Sequence, residues 1–266
     1  MDEAMANPIQ VTPIGVFHSN QKHPYEAGRQ PDEHHSEGVI ELFPGSNFEQ
    51  ALTGLEGCPR IWVIFLFHHN EHWNPMVLPP RGGNQKVGVF ATRSPYRPNS
   101  IGMSCVEVLE ISKLSIKVAG ADLLDGSPIL DIKPYVAYAD SFPGVEPAWL
   151  ASAEKHQVRF AAKAEEELQW LEAQELSQLR SFLLHQLEYE PTNSKKKRVA
   201  SNEVRNHRAW PNPAFVIAYR TWRALFELRE NEVEVMEIFS GYSDADLSSE
   251  EDPYLDKDLH RKFQKR

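Results

Sequence analysis

The chain has 266 residues, a formal net charge of −10, 41% hydrophobic residues and 25% charged ones, the balance of a soluble globular protein with one large domain or one domain plus an appendage. No apolar run nears the ~18 residues of a membrane span, the Met-Asp-Glu-Ala-Met start has no secretory leader, and Cys58 and Cys105 alone make neither a disulfide framework nor a zinc set. The acidic total opposes a polyanionic partner, but no Asp or Glu occurs from Trp73 to Val106, where Arg81, Lys86, Arg93 and Arg97 fall, so nucleic acid stays open on local sign.

Residues 1–8 read as a disordered lead, and Ile9 to Phe17 alternates as a first strand. His18 to His35 is a long polar loop with Arg29-Gln30-Pro31 near its middle; loops of that length in compact domains are often functional. Gly38 to Phe43 predicts a strand, Phe48 to Leu55 a short helix, and Arg60 to His68, rich in Ile, Val, Phe and Trp, a fully buried strand. Trp73 to Gly83 is dense in turns.

Residues 87–104 organise what surrounds them. Val87 to Ala91 predicts a short strand and Ile101 to Leu109 another, and the loop between carries Arg93, Tyr96, Arg97 and Asn99. Pro95 and Pro98 fix φ and restrict the residue before each, so the loop is stiff. Two forked cations beside an aromatic and an amide suit an anionic or nucleotide ligand; the plainer alternative is a turn whose arginines pair with nearby carboxylates. Ser115 to Ala119 is a further strand, with Ala121 to Leu124 continuing it. Asp125-Gly126 is the strongest short hairpin signal, with Ile129 to Ile132 as its return strand. Many short strands with few helices predict an all-β barrel or sandwich over roughly 8–145.

After Pro147 the period changes. Ala161 to Tyr189 has leucines and Phe182 at helical spacing, broken once near Gln174. Phe215 to Tyr219, Trp222 to Leu228 and Val233 to Phe239 predict strands. A small α+β domain over 160–242 follows, and the Ser-Asp-Glu-rich stretch 243–266 reads as a disordered tail. A second basic stretch holds Lys195, Lys196, Lys197, Arg198, Arg205 and Arg208.

Several motifs carry no chemistry. Gly83 to Gly88 has P-loop glycine spacing, but Val89-Phe90 stands where Lys and Ser/Thr belong. There is no G-x-S-x-G elbow. His68, His69 and His72 invite a metal reading, which Pro75 and the preceding strand weaken, so no metal is expected. Asp122, Asp125 and Asp131 around one turn could hold a divalent cation or cap their own backbone.

Taken together, Gly88-Val-Phe-Ala-Thr-Arg-Ser, Arg97-Pro-Asn-Ser-Ile-Gly-Met-Ser104, Asp122-Leu-Leu-Asp-Gly-Ser-Pro128 and Asp131-Ile-Lys-Pro-Tyr135 resemble the TrmO family, formerly the YaeB or VirR-like proteins. Gly15, Arg29-Gln30-Pro31, Gly54-Leu55-Glu56, Trp62, His68 and Pro79-Pro80-Arg81 fall in the same order, so the resemblance covers about 9–145. It implies a mainly β protein, a single-sheet β-barrel methyltransferase domain with a small C-terminal α+β domain. It also implies a cytoplasmic homodimer that uses S-adenosylmethionine to methylate N6 of threonylcarbamoyladenosine beside the anticodon of threonine tRNA, with no DNA or membrane partner.

By the same resemblance the cofactor residues are Gln30, Pro31, His68, His69, Arg93, Met103, Leu124, Asp125, Gly126, Ser127 and Pro128, and the RNA side is Arg97, Asn99 and Lys133. Asp122 or His69 is the expected base for the N6 proton. The chain departs from the family pattern at Asn74, Leu78 and Ser100, at Glu190-Pro191-Thr192 and near Thr221. Those departures touch the RNA side rather than the cofactor. Two alternatives stand beside the tRNA reading: a methyltransferase of this fold acting on a small metabolite or another nucleoside, and a non-catalytic cofactor-binding protein.

Overall fold

The computed structural model describes residues 9–21, 37–79, 81, 84–151, 153–174, 176, 178–195, 198–201 and 210–266. The chain divides into two compact units, Met1–Pro79 with Asn84–Pro147, and Pro80–Gly83 with Ala148–Arg266.

The first unit is a closed barrel of six strands in the order β1-β2-β7-β6-β3-β8, every pairing antiparallel. The strands are β1 (Gly15–His18), β2 (Glu37–Leu42), β3 (Arg60–Leu66), β6 (Ile101–Ser112), β7 (Ser115–Ala119) and β8 (Pro128–Pro134). A two-residue ladder, β4 (Met76–Val77) with β5 (Val87–Gly88), lies outside the barrel sheet. Alternation fills the interior: Phe17, Ile40, Ile61, Val63, Phe65, Val106, Ile116, Val118 and Ile129 form one buried cluster. Each such side chain contributes about 1.5–3 kcal/mol relative to exposure. Gly102 is required by close packing, because a Cβ there would stand 2.4 Å from the Phe65 ring.

The mainly β barrel expected from the sequence is present, with local corrections. β1 is only four residues, and the helix expected over Phe48 to Leu55 is Phe48–Ala51 followed by a 3-10 turn at Leu55–Gly57. β3 is not buried on both sides; Ile61, Val63 and Phe65 point inward while Trp62, Ile64 and Leu66 are partly exposed. The strand expected over Val87 to Ala91 stops at Gly88 and turns into a 3-10 helix, Val89–Ala91. Val89 is 2% exposed and Phe90 77%, so a single buried anchor replaces a ladder.

The largest correction concerns Asp125-Gly126. They make a turn, but not a hairpin: β7 pairs with β2 and β6, whereas β8 pairs with β1 and β3. Residues 120–127 are therefore a connection between strands that are not neighbours, and Ala121 to Leu124 extends no strand.

The second unit is a five-stranded sheet in the order β10-β11-β12-β13-β9, with β9 parallel to β13 and the rest antiparallel. Its strands are β9 (Gln157–Phe160), β10 (Val199–Ser201), β11 (Ala214–Tyr219), β12 (Trp222–Arg229) and β13 (Glu232–Ser240). The predicted helical stretch is two helices, Ala162–Glu172 and Gln178–Leu187, broken where Gln174 suggested. They bury Leu168, Leu171, Leu179, Leu183 and Leu187 against Trp222, Phe226 and Val235.

The tail expected to be disordered is folded. Helices Asp244–Ser248 and Lys257–Gln264 bury Leu247, His260 and Phe263. Phe263 packs edge-on to Trp170 and Trp222, and His260 stacks on Trp222 with ring centroids 3.8 Å apart. Composition alone hid this, because a few well-placed rings outweigh many polar neighbours. Among the described residues no helix is long and apolar enough to cross a membrane.

Candidate active site

The candidate site gathers where β3 ends and β8 begins. β3 and β8 are neighbours in the barrel, so the turn after Leu66 and the turn before Pro128 are brought side by side. The first carries His68 and His69, whose rings lie 4.0 Å apart. The second carries Leu124, Asp125, Gly126 and Ser127. His68 Nδ1 is 3.4 Å from Ser127 Oγ, and Ser127 itself is buried. Gly126 has φ +78°, a left-handed conformation suited to glycine, and a Cβ there would stand 3.7 Å from His68 Nε2.

Partial burial pushes the His68 imidazole below its ordinary pKa, and the adjacent His69 pushes the same way, against smaller raising effects from the Leu66 backbone and Asp125. At neutral pH His68 is a neutral donor–acceptor beside a carboxylate. Among the described residues no group of three or more His, Cys, Asp or Glu could hold a metal ion.

The Asp125 turn is tied to the end of β1. Ser19 N donates to Asp125 Oδ1 at 3.0 Å, Asp125 N donates to the Gln21 carbonyl at 2.8 Å, and Gly126 N donates to the Phe17 carbonyl at 2.8 Å. Gln21 is 2% exposed.

The lip 89–100 is held by more than its prolines. Arg97 Nη1 donates to the carbonyls of Thr92 at 2.8 Å and Val89 at 3.2 Å, and its guanidinium lies 5.8 Å from the Phe90 ring centroid. Asn70 Nδ2, from the histidine turn, donates to the Pro95 carbonyl at 2.6 Å. Phe67 N donates to the Ser100 carbonyl at 2.8 Å. The lip and the histidine turn are thus laced together. Asn70 was invisible in the sequence because one amide in a loop has no pattern around it.

The expected site residues fall into three groups. His68, His69, Leu124, Asp125, Gly126, Ser127 and Pro128 lie on the two adjoining turns, and Arg93, exposed, and Asn99, also exposed, on the lip. Among the described residues Arg93 pairs with no carboxylate. Asp122 is half-buried in the same connection, three residues before Asp125.

Met103 and Lys133 stand on the outer wall of the barrel. Met103 is 45% exposed and sits across from Ile64; Lys133 sits across from Trp62 and pairs with Asp131 at 2.7 Å. At ~3.3 Å per residue these positions lie roughly 7 and 13 Å back from Leu66 along β3. Gln30 and Pro31 lie outside the described residues.

With this geometry in place the chain can be set beside known proteins. The tRNA-methyltransferase O N-terminal domain family matches residues 16–141. The chain is 36% identical over 230 residues to the tRNA (adenine(37)-N6)-methyltransferase of Escherichia coli K12, covering 83% of this chain and 96% of that one. It belongs to the TrmO family.

A Mus musculus tRNA (adenine(37)-N6)-methyltransferase is 38% identical over 141 residues, half of this chain and a third of the relative. The crystal structure of TrmO from Pseudomonas aeruginosa covers 88% of this chain and 99% of its own, at 27% identity and TM-score 0.57. The TrmO likeness to the Escherichia coli protein therefore extends beyond the barrel into the second unit.

Proposed function

We infer that this chain, an S-adenosylmethionine-dependent tRNA methyltransferase by family, methylates N6 of an adenosine beside the tRNA anticodon that already carries a threonylcarbamoyl group. The single observation behind this reading is the exposed Arg93 on a braced lip next to the His68–Ser127 pair. Such a guanidinium suits the threonine carboxylate, which it would hold bidentately.

The residues present fit the methyl donor. A neutral His68 beside the Asp125 carboxylate puts no cation on these two turns against a sulfonium, and Gly126 leaves open the space beside His68 Nε2. When bound, the donor supplies an electrophilic methyl: its S–CH3 bond breaks, an N–CH3 bond forms, and the sulfonium becomes a neutral thioether. The protein's part is alignment and removal of the N6 proton.

His69 is the assigned proton acceptor. It is exposed at the rim, whereas Asp122, the alternative, is half-buried in the connection. His68, Met103 and the Leu124–Pro128 turn hold the donor, joined by Gln30 and Pro31, and Arg93 is given to the substrate carboxylate. Asn99 and Lys133 face RNA. Arg97 acts through the lip, since one of its nitrogens already holds two carbonyls. Exposed Ile101 on β6 supports a homodimer, threonine tRNA supplies the carboxylate Arg93 matches, and a tRNA substrate sets the work in the cytoplasm.

Incubation with labelled methyl donor and two tRNA pools, one bearing threonylcarbamoyladenosine and one lacking it, tests the reading. Label entering only the first pool is expected. Equal labelling of both, or label only in small molecules, would overturn the substrate assignment.

A further inference from the structure

We propose that Gln21 reads the adenine base of the methyl donor through its side-chain amide. The inference rests on the reading of this rim as the donor site and adds a residue to it. The backbone of Gln21 is fixed to the candidate turn, because its carbonyl accepts from Asp125 N at 2.8 Å and its own N–H donates to Ser19 Oγ at 3.2 Å. Its side chain is 2% exposed, yet neither Nε2 nor Oε1 has a partner among the described residues.

An amide taken out of water with both ends unpaired is costly, and a leucine or methionine of similar size would fill the same space without that penalty. Two orphaned groups on one side chain beside a candidate site therefore call for a ligand with a donor and an acceptor of its own. Adenine has that edge: the N6 amino donor stands next to ring-nitrogen acceptors, and a glutamine matches the pair with its carbonyl and amino groups. The amino-acid end of the donor fits poorly here. Its carboxylate and ammonium need opposite charge when desolvated, which a neutral amide lacks. Ser104 Oγ is also buried without a partner among the described residues, but it faces the barrel core across from Val63 and has no such relation to the turn.

The test uses the full chain and its Gln21→Leu variant. Dissociation constants are measured by equilibrium dialysis for S-adenosylhomocysteine and for the same thioether carrying unsubstituted purine, alongside the ligand-free Tm. The expected result is an affinity for S-adenosylhomocysteine about 10–100-fold weaker in the variant, loss of discrimination between adenine and purine, and a Tm that is unchanged or raised. Unchanged affinity would overturn the proposal and leave the amide to a bridging water. A Tm that falls together with affinity would overturn it in favour of a packing role. If the unmutated protein binds no S-adenosylhomocysteine, the reading of the rim fails and this inference fails with it.

Discussion

The interior of the second unit and the barrel rim use their charges in opposite ways. In the second unit charged groups are paired inside the fold. Arg180 is shared by Glu165 and Glu172, and buried Glu167 accepts from Ile238 N and Arg266. Buried Glu227 takes Trp210, Asn212 and Arg229. Asp256 accepts from Thr221 at 2.6 Å and from Tyr242 at 2.8 Å. At the barrel rim, Arg93 pairs with no carboxylate among the described residues, and the amide of Gln21 has no partner among them. Under the proposed function, the paired groups hold the fold and the unpaired ones meet substrate and cofactor.

That contrast can be broken most sharply at the rim. His69→Ala is expected to lower kcat on modified tRNA by about 10²–10⁴-fold, with Tm unmoved; steady-state transfer assays and thermal melts check both halves. Arg93→Ala is expected to lower kcat/KM by about 10–100-fold, the worth of a charge-assisted hydrogen-bond pair. S-adenosylhomocysteine affinity should hold to within a few-fold, and a matched loss of that affinity would move Arg93 into the donor pocket.

In the second unit the same logic predicts lost stability without lost cofactor binding. His260 Nε2 lies 2.9 Å from Thr221 Oγ1, which donates onward to Asp256. Thr221→Val strands both neighbours and should cost about 1–3 kcal/mol in denaturant unfolding. Burial raises the Asp256 carboxyl pKa, but the bonds from His260, Thr221 and Tyr242 outweigh it and hold the carboxyl below its ordinary value. A depressed folded-state pKa gives stability that is complete above the unfolded value and is lost as pH falls through the folded one. The unmutated protein should therefore lose this contribution below about pH 4, and Thr221→Val should show a shallower loss there. The smallest effect is expected at the lip: Asn70→Ala removes the bond to the Pro95 carbonyl, costing about 0.5–1.5 kcal/mol, and should raise hydrogen exchange over 95–100 more than anywhere else.

How much of this was legible in the sequence follows from which forces were local. Apolar runs located β3 and β6, alternation located β7, and 3.6-residue spacing located both long helices. Asp125-Gly126 announced a turn correctly but not its partners, because closure of the barrel puts β8 between β1 and β3. Val89-Phe90-Ala91 was too short for its period to separate strand from 3-10 turn. The tail misled through composition: Leu247, His260 and Phe263 are few, yet all three are buried. At the site, the family resemblance named the histidine and Asp-Gly turns that the fold brings together. Gln21 and Asn70 were missed because an uncharged loop side chain carries no signal until its neighbours in space are known.

Imidazole NMR during titration with S-adenosylhomocysteine asks whether the two adjoining turns are the cofactor site, and it samples both units at once without a substitution. The ring signals of His68 and His69 should shift together and saturate, while those of His156 and His260 in the second unit stay fixed. Saturable binding that moves His260 and leaves His68 and His69 unchanged would contradict that assignment.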